Sequence, residues 1–149
     1  MVKEIFDFSA SLFGLIILIP FLLPLTLLVW LQDFKNPFYV AKRMGKGNSP
    51  FYIVKLRSMI INADKTGVDS TSKNDLRITK IGRFIRKFKV DELTQLWNVL
   101  LGQMSFVGPR PNVERETKLY TQKEKKLLKV RPGITDLAAS VFSEEGEIL

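Results

Sequence analysis

A long uncharged segment near the start of the chain dominates the pattern of apolar and polar residues. No residue from 8 to 32 carries a charge, and most are large and apolar. About 20 such residues can cross a bilayer as a helix, so the pattern predicts a membrane helix within residues 1–33. Pro20 and Pro24 each remove an intrahelical hydrogen bond and predict a bend. The residues alone leave a spanning helix and a re-entrant helix open.

After this segment the pattern becomes that of a small mixed domain. Residues 37–43 and 51–57 predict two short strands, joined by a turn rich in Gly, Asn, Ser and Pro at 45–50. Residues 60–76 are mostly polar and predict a loop. The fold class is therefore α+β and mainly helical: a membrane helix at 1–33 and a second domain at 34–149, with a short β-hairpin and amphipathic interfacial helices.

Two helices are predicted from apolar residues at helical spacing. The first, over 78–88, has the apolar stripe Ile78, Ile81, Phe84, Ile85 and Phe88 and the opposite basic residues Lys80, Arg83 and Lys87. The second, over 91–101, has the stripe Leu93, Leu96, Trp97 and Leu100. Gly102 is expected to end it. Thr121 and Glu124 form a capping-box pattern, which predicts a further helix start.

Charge divides the chain at the same place. Residues 34–149 contain 22 basic and 12 acidic residues, whereas residues 1–33 contain one basic and three acidic residues. Because basic regions stay inside, the domain is expected on the cytoplasmic face. Lys3 is matched by Glu4 and Asp7, unlike the basic start of a cleaved signal peptide, so the segment is expected to remain.

Composition restricts the chemistry that the domain can perform. The chain has no Cys and no His, which excludes a cysteine or histidine zinc site, a thiolate nucleophile and a histidine-based triad. The common Gly-rich phosphate motifs and an Asp-x-Asp pair are also missing from the sequence. Carboxylates and basic side chains remain as candidates.

The adjacent acids Asp91 and Glu92 have two interpretations. Asp is a favoured helix N-cap and Glu in a first turn offsets the helix dipole. Alternatively, a carboxylate close to Arg86 stays ionised and acts as a nucleophile or metal ligand. A diphosphate would be repelled by these acids unless a cation such as Mg²⁺ lay between them.

The basic candidates also have two interpretations each. Arg110 lies in the string Gly108-Pro-Arg-Pro111, which is either a rigid turn or a fixed frame that presents one guanidinium to phosphate. Lys55 and Arg57 share one face of the second strand, which is either solvated or part of a phosphate site. The basic surface as a whole also suits anionic lipid headgroups.

Several motifs over residues 5–138 together resemble those of one family. Their order is Phe6-Asp7, Arg43-x-Gly45, Phe51-x-x-x-Lys55-Leu-Arg57-Ser-Met59, Arg86, Val90-Asp91-Glu92-Leu-x-Gln95-Leu-x-Asn98-Val, Gly102-x-Met-Ser-Phe-Val-Gly-Pro-Arg-Pro111 and Val130-Arg-Pro-Gly-Ile-Thr135. On these motifs the chain resembles the monotopic phosphoglycosyl transferases, also called bacterial sugar transferases.

The resemblance implies Mg²⁺-dependent transfer of a sugar phosphate from a UDP-sugar to polyprenyl (undecaprenyl) phosphate, releasing UMP at the start of surface glycan or glycoprotein assembly. Asp91 then corresponds to the nucleophile that forms an aspartyl-phosphosugar, and Glu92 to its metal or proton partner. The residues that correspond to phosphate-binding positions are Lys55, Arg57, Arg86 and Arg110. The resemblance also implies a re-entrant helix bent at Pro20 and Pro24, anchored in the bacterial inner membrane with its catalytic domain in the cytoplasm.

Two alternatives to this interpretation stay open, and a third is not expected. The chain stops at Leu149, whereas family members generally continue, so a truncated and inactive homologue is one alternative. A membrane-anchored basic scaffold is another. Binding of nucleic acid is not expected, because Phe84 and Phe88 fall on the apolar stripe instead of alternating with basic residues. The sequence does not specify the sugar or whether the protein forms a homo-oligomer.

Overall fold

The computed structural model describes residues 1–66 and 75–136. Its helices and strands are α1 (Val2–Leu31), β1 (Phe38–Met44), β2 (Pro50–Leu56), α2 (Lys80–Lys87), α3 (Leu96–Leu100), β3 (Ser105–Val107), α4 (Glu114–Thr117) and β4 (Gly133–Thr135). Short 3₁₀ segments lie at Lys46–Asn48, Ala63–Thr66, Val90–Gln95 and Glu124–Lys129. This mostly helical mixture confirms the α+β class. Part of the predicted loop at 60–76 and the end of the predicted domain at 34–149 lie outside the described residues.

Helix α1 turns one side toward the rest of the protein. Its buried residues are Asp7, Ser11, Leu22 and Val29. Their separations of four, eleven and seven residues are close to one, three and two helical turns, so they share one face. The rest of the helix surface exposes large apolar residues, among them Ile5, Phe8, Phe13, Ile16, Phe21, Leu23 and Leu27. Helix α1 is long and apolar enough to cross a membrane.

The two prolines lie inside α1. The helix is one element from Val2 to Leu31 and includes both Pro20 and Pro24. A bend or a re-entrant path at these residues therefore stays a prediction.

Polar contacts attach the N-terminal end of α1 to β3. The Ser105 hydroxyl donates to Asp7 Oδ2 at 2.7 Å, and both side chains are buried. Lys3 Nζ donates to the carbonyl of Val107 at 3.0 Å. Because burial of an unpaired carboxylate is costly, the hydroxyl partner of Asp7 matters for this packing.

The predicted hairpin is confirmed within one residue at each end. Strands β1 and β2 are antiparallel, with Ala41 opposite Ile53. Gly47 has a φ of 70° in the connecting 3₁₀ segment, a conformation that glycine adopts without steric cost. The hairpin packs on α3 and the residues after it through a core of Phe51, Ile53, Val99 and Met104. This core fixes the strand that carries Lys55.

Helix α2 covers a second core and confirms the first predicted helix. The Thr79 hydroxyl accepts the Gly82 N–H at its N-terminus, and Ile85 packs with Val29 and Leu56. The basic residues Lys80, Arg83 and Lys87 are exposed as expected. The aromatic residues at 84 and 88 are also exposed, by 50% and 58%, so the apolar stripe extends past the core that it covers.

The second predicted helix differs from the prediction. Residues 90–95 form a 3₁₀ helix, and only Leu96–Leu100 are α-helical. Trp97, expected in the apolar stripe, is 51% exposed. The buried positions include Thr94, Gln95 and Asn98 instead, because polar side chains here bond to a neighbouring strand. Gly102, with a φ of 73°, ends the helix as expected.

The sequence analysis missed a parallel pair of short strands, β3 and β4. Ser105 lies opposite Gly133, and Val107 opposite Thr135. The capping box at Thr121 and Glu124 is confirmed: the Thr121 N–H donates to the Glu124 carboxylate at 2.7 Å, and the Glu124 N–H donates to the Thr121 hydroxyl at 3.3 Å. The segment that begins there is a 3₁₀ helix.

Candidate active site

A cavity of about 750 Å³ lies beside the hairpin. Its lining includes the basic residues Arg43, Lys55, Arg57, Arg77, Arg86, Arg110 and Arg115 and the acidic residues Asp91 and Glu116. The volume is in the range of sites for small molecules, and the excess of basic side chains suits an anionic ligand. The structure therefore brings Asp91 and all four predicted phosphate-binding residues to one cavity.

Asp91 lies in the first turn of the 3₁₀ helix Val90–Gln95. The residue at the cap position is Lys89, in the left-handed conformation, and this terminus has no side-chain capping bond. The interpretation of Asp91 as an N-cap is therefore wrong. Burial raises the pKa of the Asp91 carboxyl above its usual value, while the charge of Lys55 lowers it and that of Glu92 raises it. The result is a partly desolvated carboxylate that faces cations.

Glu92 does not line the cavity but contacts a residue that does. Lys55 Nζ lies 3.0 Å from Glu92 Oε1, and both side chains are partly buried. The interaction directs Lys55 toward the turn that holds Asp91. A freely solvated strand face, the alternative interpretation of Lys55, does not describe this position.

Two polar side chains bond the Asp91 turn to the free edge of β2. The Thr94 hydroxyl donates to the carbonyl of Val54 at 2.9 Å. Asn98 accepts the Val54 N–H at 3.0 Å through Oδ1 and donates to the carbonyl of Tyr52 at 2.7 Å through Nδ2. Asn98 is almost completely buried, so these bonds stand in for a partner strand, which residues 1–66 and 75–136 do not provide at this edge. They hold Asp91 next to the strand that carries Lys55.

Arg57 follows β2 and is 6% exposed. Its Nη1 and Nη2 atoms donate to the two oxygens of Asp33 at 2.6 and 2.7 Å. This bidentate bond lowers the pKa of Asp33 to about 2. Arg57 therefore joins the cavity to the residues just after α1, and a solvated strand face does not describe it either.

Arg86 and Arg110 approach the cavity from different elements. Arg86 lies in the last turn of α2 and is partly buried, whereas Arg110 is exposed in the loop before α4. Within the described ranges, neither is in an ion pair. Both guanidinium groups are thus available to an anion in the cavity.

Backbone contacts fix the loop that carries Arg110. The Gly108 N–H donates to the carbonyl of Thr135, and the Gly133 N–H to that of Pro109, both at 3.0 Å. A Cβ added at Gly108 would lie 2.4 Å from the backbone oxygen of Arg131, so the two backbone segments approach as closely as glycine permits. The Gly-Pro-Arg-Pro string is therefore a rigid turn that also presents an arginine to the cavity.

Sequence reasoning missed several residues of the cavity. Arg43, Arg77 and Arg115 also line it, and Arg77 pairs with Asp75 at 2.6 Å. Arg77 and Arg115 carry no local signal of phosphate binding, and Arg43 appeared only as part of the motif Arg43-x-Gly45. The roles of Thr94 and Asn98 were hidden because polar residues four apart in a helix normally indicate a solvated face.

The donor set limits how a metal ion could bind. Among residues 1–66 and 75–136, no group of three or more acidic, His or Cys residues could hold a metal ion. Asp91 and Glu92 offer two adjacent carboxylates, and one Glu92 oxygen already accepts from Lys55. Mg²⁺ commonly uses one or two carboxylates together with substrate phosphates and water. The residues present therefore fit Mg²⁺ that arrives with a phosphate ligand.

Comparison with known proteins gives a consistent result. The family model for bacterial sugar transferases matches residues 1–147. A Bacillus subtilis protein, proposed by its name to be an undecaprenyl-phosphate N-acetylgalactosaminyl 1-phosphate transferase, is 40% identical over 93% of this chain and 74% of its own length. The UDP-N-acetylgalactosamine-undecaprenyl-phosphate N-acetylgalactosaminephosphotransferase of Aeromonas hydrophila is 35% identical over 94% of this chain. The UDP-glucose:undecaprenyl-phosphate glucose-1-phosphate transferase of Klebsiella pneumoniae is 37% identical over 91%. This chain spans about a third of these last two, 34% and 30%.

Proposed function

Because the chain belongs to the bacterial sugar transferase family, we propose that it transfers a sugar phosphate from a UDP-sugar to undecaprenyl phosphate and releases UMP. The reaction would start the assembly of a surface glycan or glycoprotein oligosaccharide. The observation that carries the proposal is one cavity lined by Asp91 and a large excess of basic side chains. The names of the relatives from Aeromonas and Klebsiella support the two substrates.

In the first half-reaction Asp91 acts as the nucleophile. One carboxylate oxygen attacks the phosphorus next to the sugar and forms an acyl phosphate bond. The phosphoanhydride bond breaks, and UMP leaves with its electron pair. Lys55 and Arg86 favour the ionised carboxylate, since the charges of both lower the pKa that burial raises. Partial burial strips water from the attacking oxygen.

In the second half-reaction an oxygen of polyprenyl phosphate attacks the same phosphorus. A new phosphoanhydride bond forms, the acyl phosphate bond breaks, and the Asp91 carboxylate is restored. Two anionic substrates can therefore use one cationic cavity in turn. Arg86 and Arg110, neither of which forms an ion pair with the described acids, would bind phosphate oxygens in both steps.

Mg²⁺ is the proposed cofactor, held by Asp91, Glu92 and the phosphates of the substrate. When bound, it would offset the negative charge of the diphosphate next to these carboxylates. Among the described residues, no group of three or more acidic residues could hold a metal ion, so the metal should bind weakly without nucleotide. EDTA should abolish UMP release and added Mg²⁺ should restore it; full activity in EDTA would contradict the proposal.

Contacts at both ends of α1 support a helix with both ends on one side of the membrane. Asp7 near its start bonds to β3, and Asp33 just after its end bonds to Arg57. A helix that crossed the bilayer would separate these two ends by about 30 Å of hydrocarbon. We therefore place both ends and the domain on the cytoplasmic face of the inner membrane. The exposed apolar side of α1 would contact membrane lipid.

Cysteine labelling tests this topology, since the chain has no cysteine. Single variants Val2→Cys and Asn36→Cys, expressed in intact cells, should both resist a membrane-impermeant thiol reagent. Both should react once the membrane is opened. Labelling of the residue 2 variant from outside would establish a spanning helix.

The reaction itself is tested by UMP release from a panel of UDP-sugars with undecaprenyl phosphate and Mg²⁺. At least one sugar should give turnover that needs both substrates. Lipid binding without UMP release from any sugar would favour a membrane-anchored scaffold or an inactive homologue. The panel also identifies the sugar.

A further inference from the structure

Among the described residues, the guanidinium of Arg57 is hydrogen-bonded through Nη1 and Nη2 but not through Nε. Asp33 accepts from Nη1 and Nη2, and the carbonyl of Val29 accepts a longer bond from Nη2 at 3.4 Å. These bonds fix the plane of the guanidinium, because a fork of two parallel bonds allows little rotation. The fixed plane sets the direction of every remaining donor of Arg57.

One of those remaining donors has no partner in the described part of the chain. Arg57 Nε is buried and donates no hydrogen bond to any residue of 1–66 or 75–136. Buried charged donors are nearly always satisfied, so an orphan of this kind needs an explanation. Arg57 lines the cavity together with Asp91. Because Nε has almost no accessible surface, a phosphate oxygen in that cavity would supply the acceptor once a small shift of the side chains around Nε admits it.

We propose that Asp33 is a positioning residue that holds Arg57 so that its Nε–H donates to a phosphate oxygen of the substrate. This inference rests on the proposed function and adds to it a residue outside the cavity. Asp33 does not line the cavity and would act only through Arg57. Because it lies two residues beyond the end of α1 at Leu31, it links the membrane helix to the phosphate site.

The chemistry of the pair predicts how substitutions at Asp33 should differ. Asp33→Glu keeps two acceptor oxygens and can still hold the fork. Asp33→Asn keeps one acceptor but turns an N–H donor toward a guanidinium that has only donors. The amide should therefore release Arg57 from its fixed orientation, whereas the longer carboxylate should largely retain it.

Binding of inorganic pyrophosphate to the purified full chain in nanodiscs tests the proposal without need for turnover. The variants are Asp33→Asn, Asp33→Glu, Arg57→Gln and the double variant Asp33→Asn/Arg57→Gln. We expect Asp33→Asn to weaken binding about 10-fold and Asp33→Glu less than about 3-fold. In the Arg57→Gln background, Asp33→Asn should have no further effect, because its partner is gone. Glu114→Gln, which removes the ion pair with Lys42 outside the cavity lining, should bind like the parent.

Three results would overturn the proposal: no binding of pyrophosphate by the parent chain, parental binding by Asp33→Asn, or an equal loss from Asp33→Asn with and without Arg57. The same variants in the UMP-release assay should repeat the pattern in kcat/KM. A chain that binds pyrophosphate through Asp33 and Arg57 but turns over no UDP-sugar would retain this inference and refute the proposed function.

Discussion

Two walls of the cavity are held in place by different kinds of bond. On the Asp91 wall, the side chains of Thr94 and Asn98 bond to the backbone of β2. On the Arg110 wall, backbone groups of the loop bond to backbone groups around Gly133. The Asp91 wall therefore depends on two particular side chains. The Arg110 wall depends on Gly108 having no side chain. Each wall should fail under a different class of substitution.

Loss of the proposed nucleophile should produce the largest effect of any substitution in the two walls. Asp91→Asn removes the attacking oxygen and keeps the size of the side chain, so UMP release should fall by about 10³-fold or more. The rate is measured with saturating UDP-sugar and undecaprenyl phosphate. A rate within 10-fold of the parent would exclude Asp91 as nucleophile.

On the Arg110 wall, the largest effect should come from adding one methyl group. The added Cβ of Gly108→Ala would lie 2.4 Å from a backbone oxygen that cannot move freely, which should cost about 3 kcal/mol or more of the free energy of unfolding. Gly45→Ala is the matched control, because the atom nearest to its Cβ would be in the ring of Phe51, at 3.1 Å, and the nearest backbone oxygen would be that of Ser49, at 3.5 Å. Equal denaturation midpoints for the two variants would contradict the account of this wall.

Asn98→Ala should destabilise the Asp91 wall through unpaired backbone groups. It leaves the Val54 N–H and the Tyr52 carbonyl without their side-chain partner, at an expected cost of about 2 kcal/mol. Asn98→Asp retains the acceptor for Val54 but places a buried carboxylate oxygen against the Tyr52 carbonyl, so it should destabilise the protein at least as much as Asn98→Ala. Denaturant unfolding measures the stabilities of the parent and the two variants. An Asn98→Ala variant as stable as the parent would refute the role of these bonds.

A smaller effect is expected at Thr94, where a matched pair of variants exists. Thr94→Val keeps the shape and removes the hydroxyl bond to Val54, which should cost about 1 kcal/mol. Thr94→Ser keeps the hydroxyl and should cost less. If the bond also holds Asp91 in place, Thr94→Val should lower kcat more than it changes KM for the UDP-sugar. Equal kinetics for the two variants would show that the hydroxyl is dispensable.

The smallest expected effect is the pH dependence of folding stability that arises from Asp91. Burial raises the pKa of Asp91 in the folded state, so this group favours folding fully below its ordinary pKa and loses that contribution as pH rises through the raised value. Asp91→Asn should therefore be more stable than the parent near neutral pH, and the difference should shrink toward pH 3. Thermal unfolding across this pH range tests the sign of the stability difference between Asp91→Asn and the parent. A variant less stable than the parent at neutral pH would contradict the prediction.

Local patterns in the sequence predicted much of the fold, and their limits have physical reasons. The hairpin and α2 were predictable because a turn of Gly, Asn and Pro and an apolar stripe are local signals. The pairing of β3 with β4 was not, since each strand has three residues and the partners lie 28 positions apart. Trp97 was misplaced because the helix buries its polar side against β2.

The same division applies to the site. Asp91, Lys55, Arg86 and Arg110 were found through motifs, and the structure places them around one cavity. Asp33 was not, because its partner Arg57 is 24 residues away and the pairing depends on how α1 packs. Residues that position others through tertiary contacts leave little trace in a single sequence.

The central claim is that Asp91 carries the sugar phosphate covalently between the two substrates. Intact-mass measurement after incubation with the active UDP-sugar, without lipid acceptor, tests it directly. We predict an increase equal to one phosphosugar, mapped to Asp91, absent from Asp91→Asn and discharged by undecaprenyl phosphate. An adduct on another residue, or an adduct that undecaprenyl phosphate does not discharge, would contradict the account.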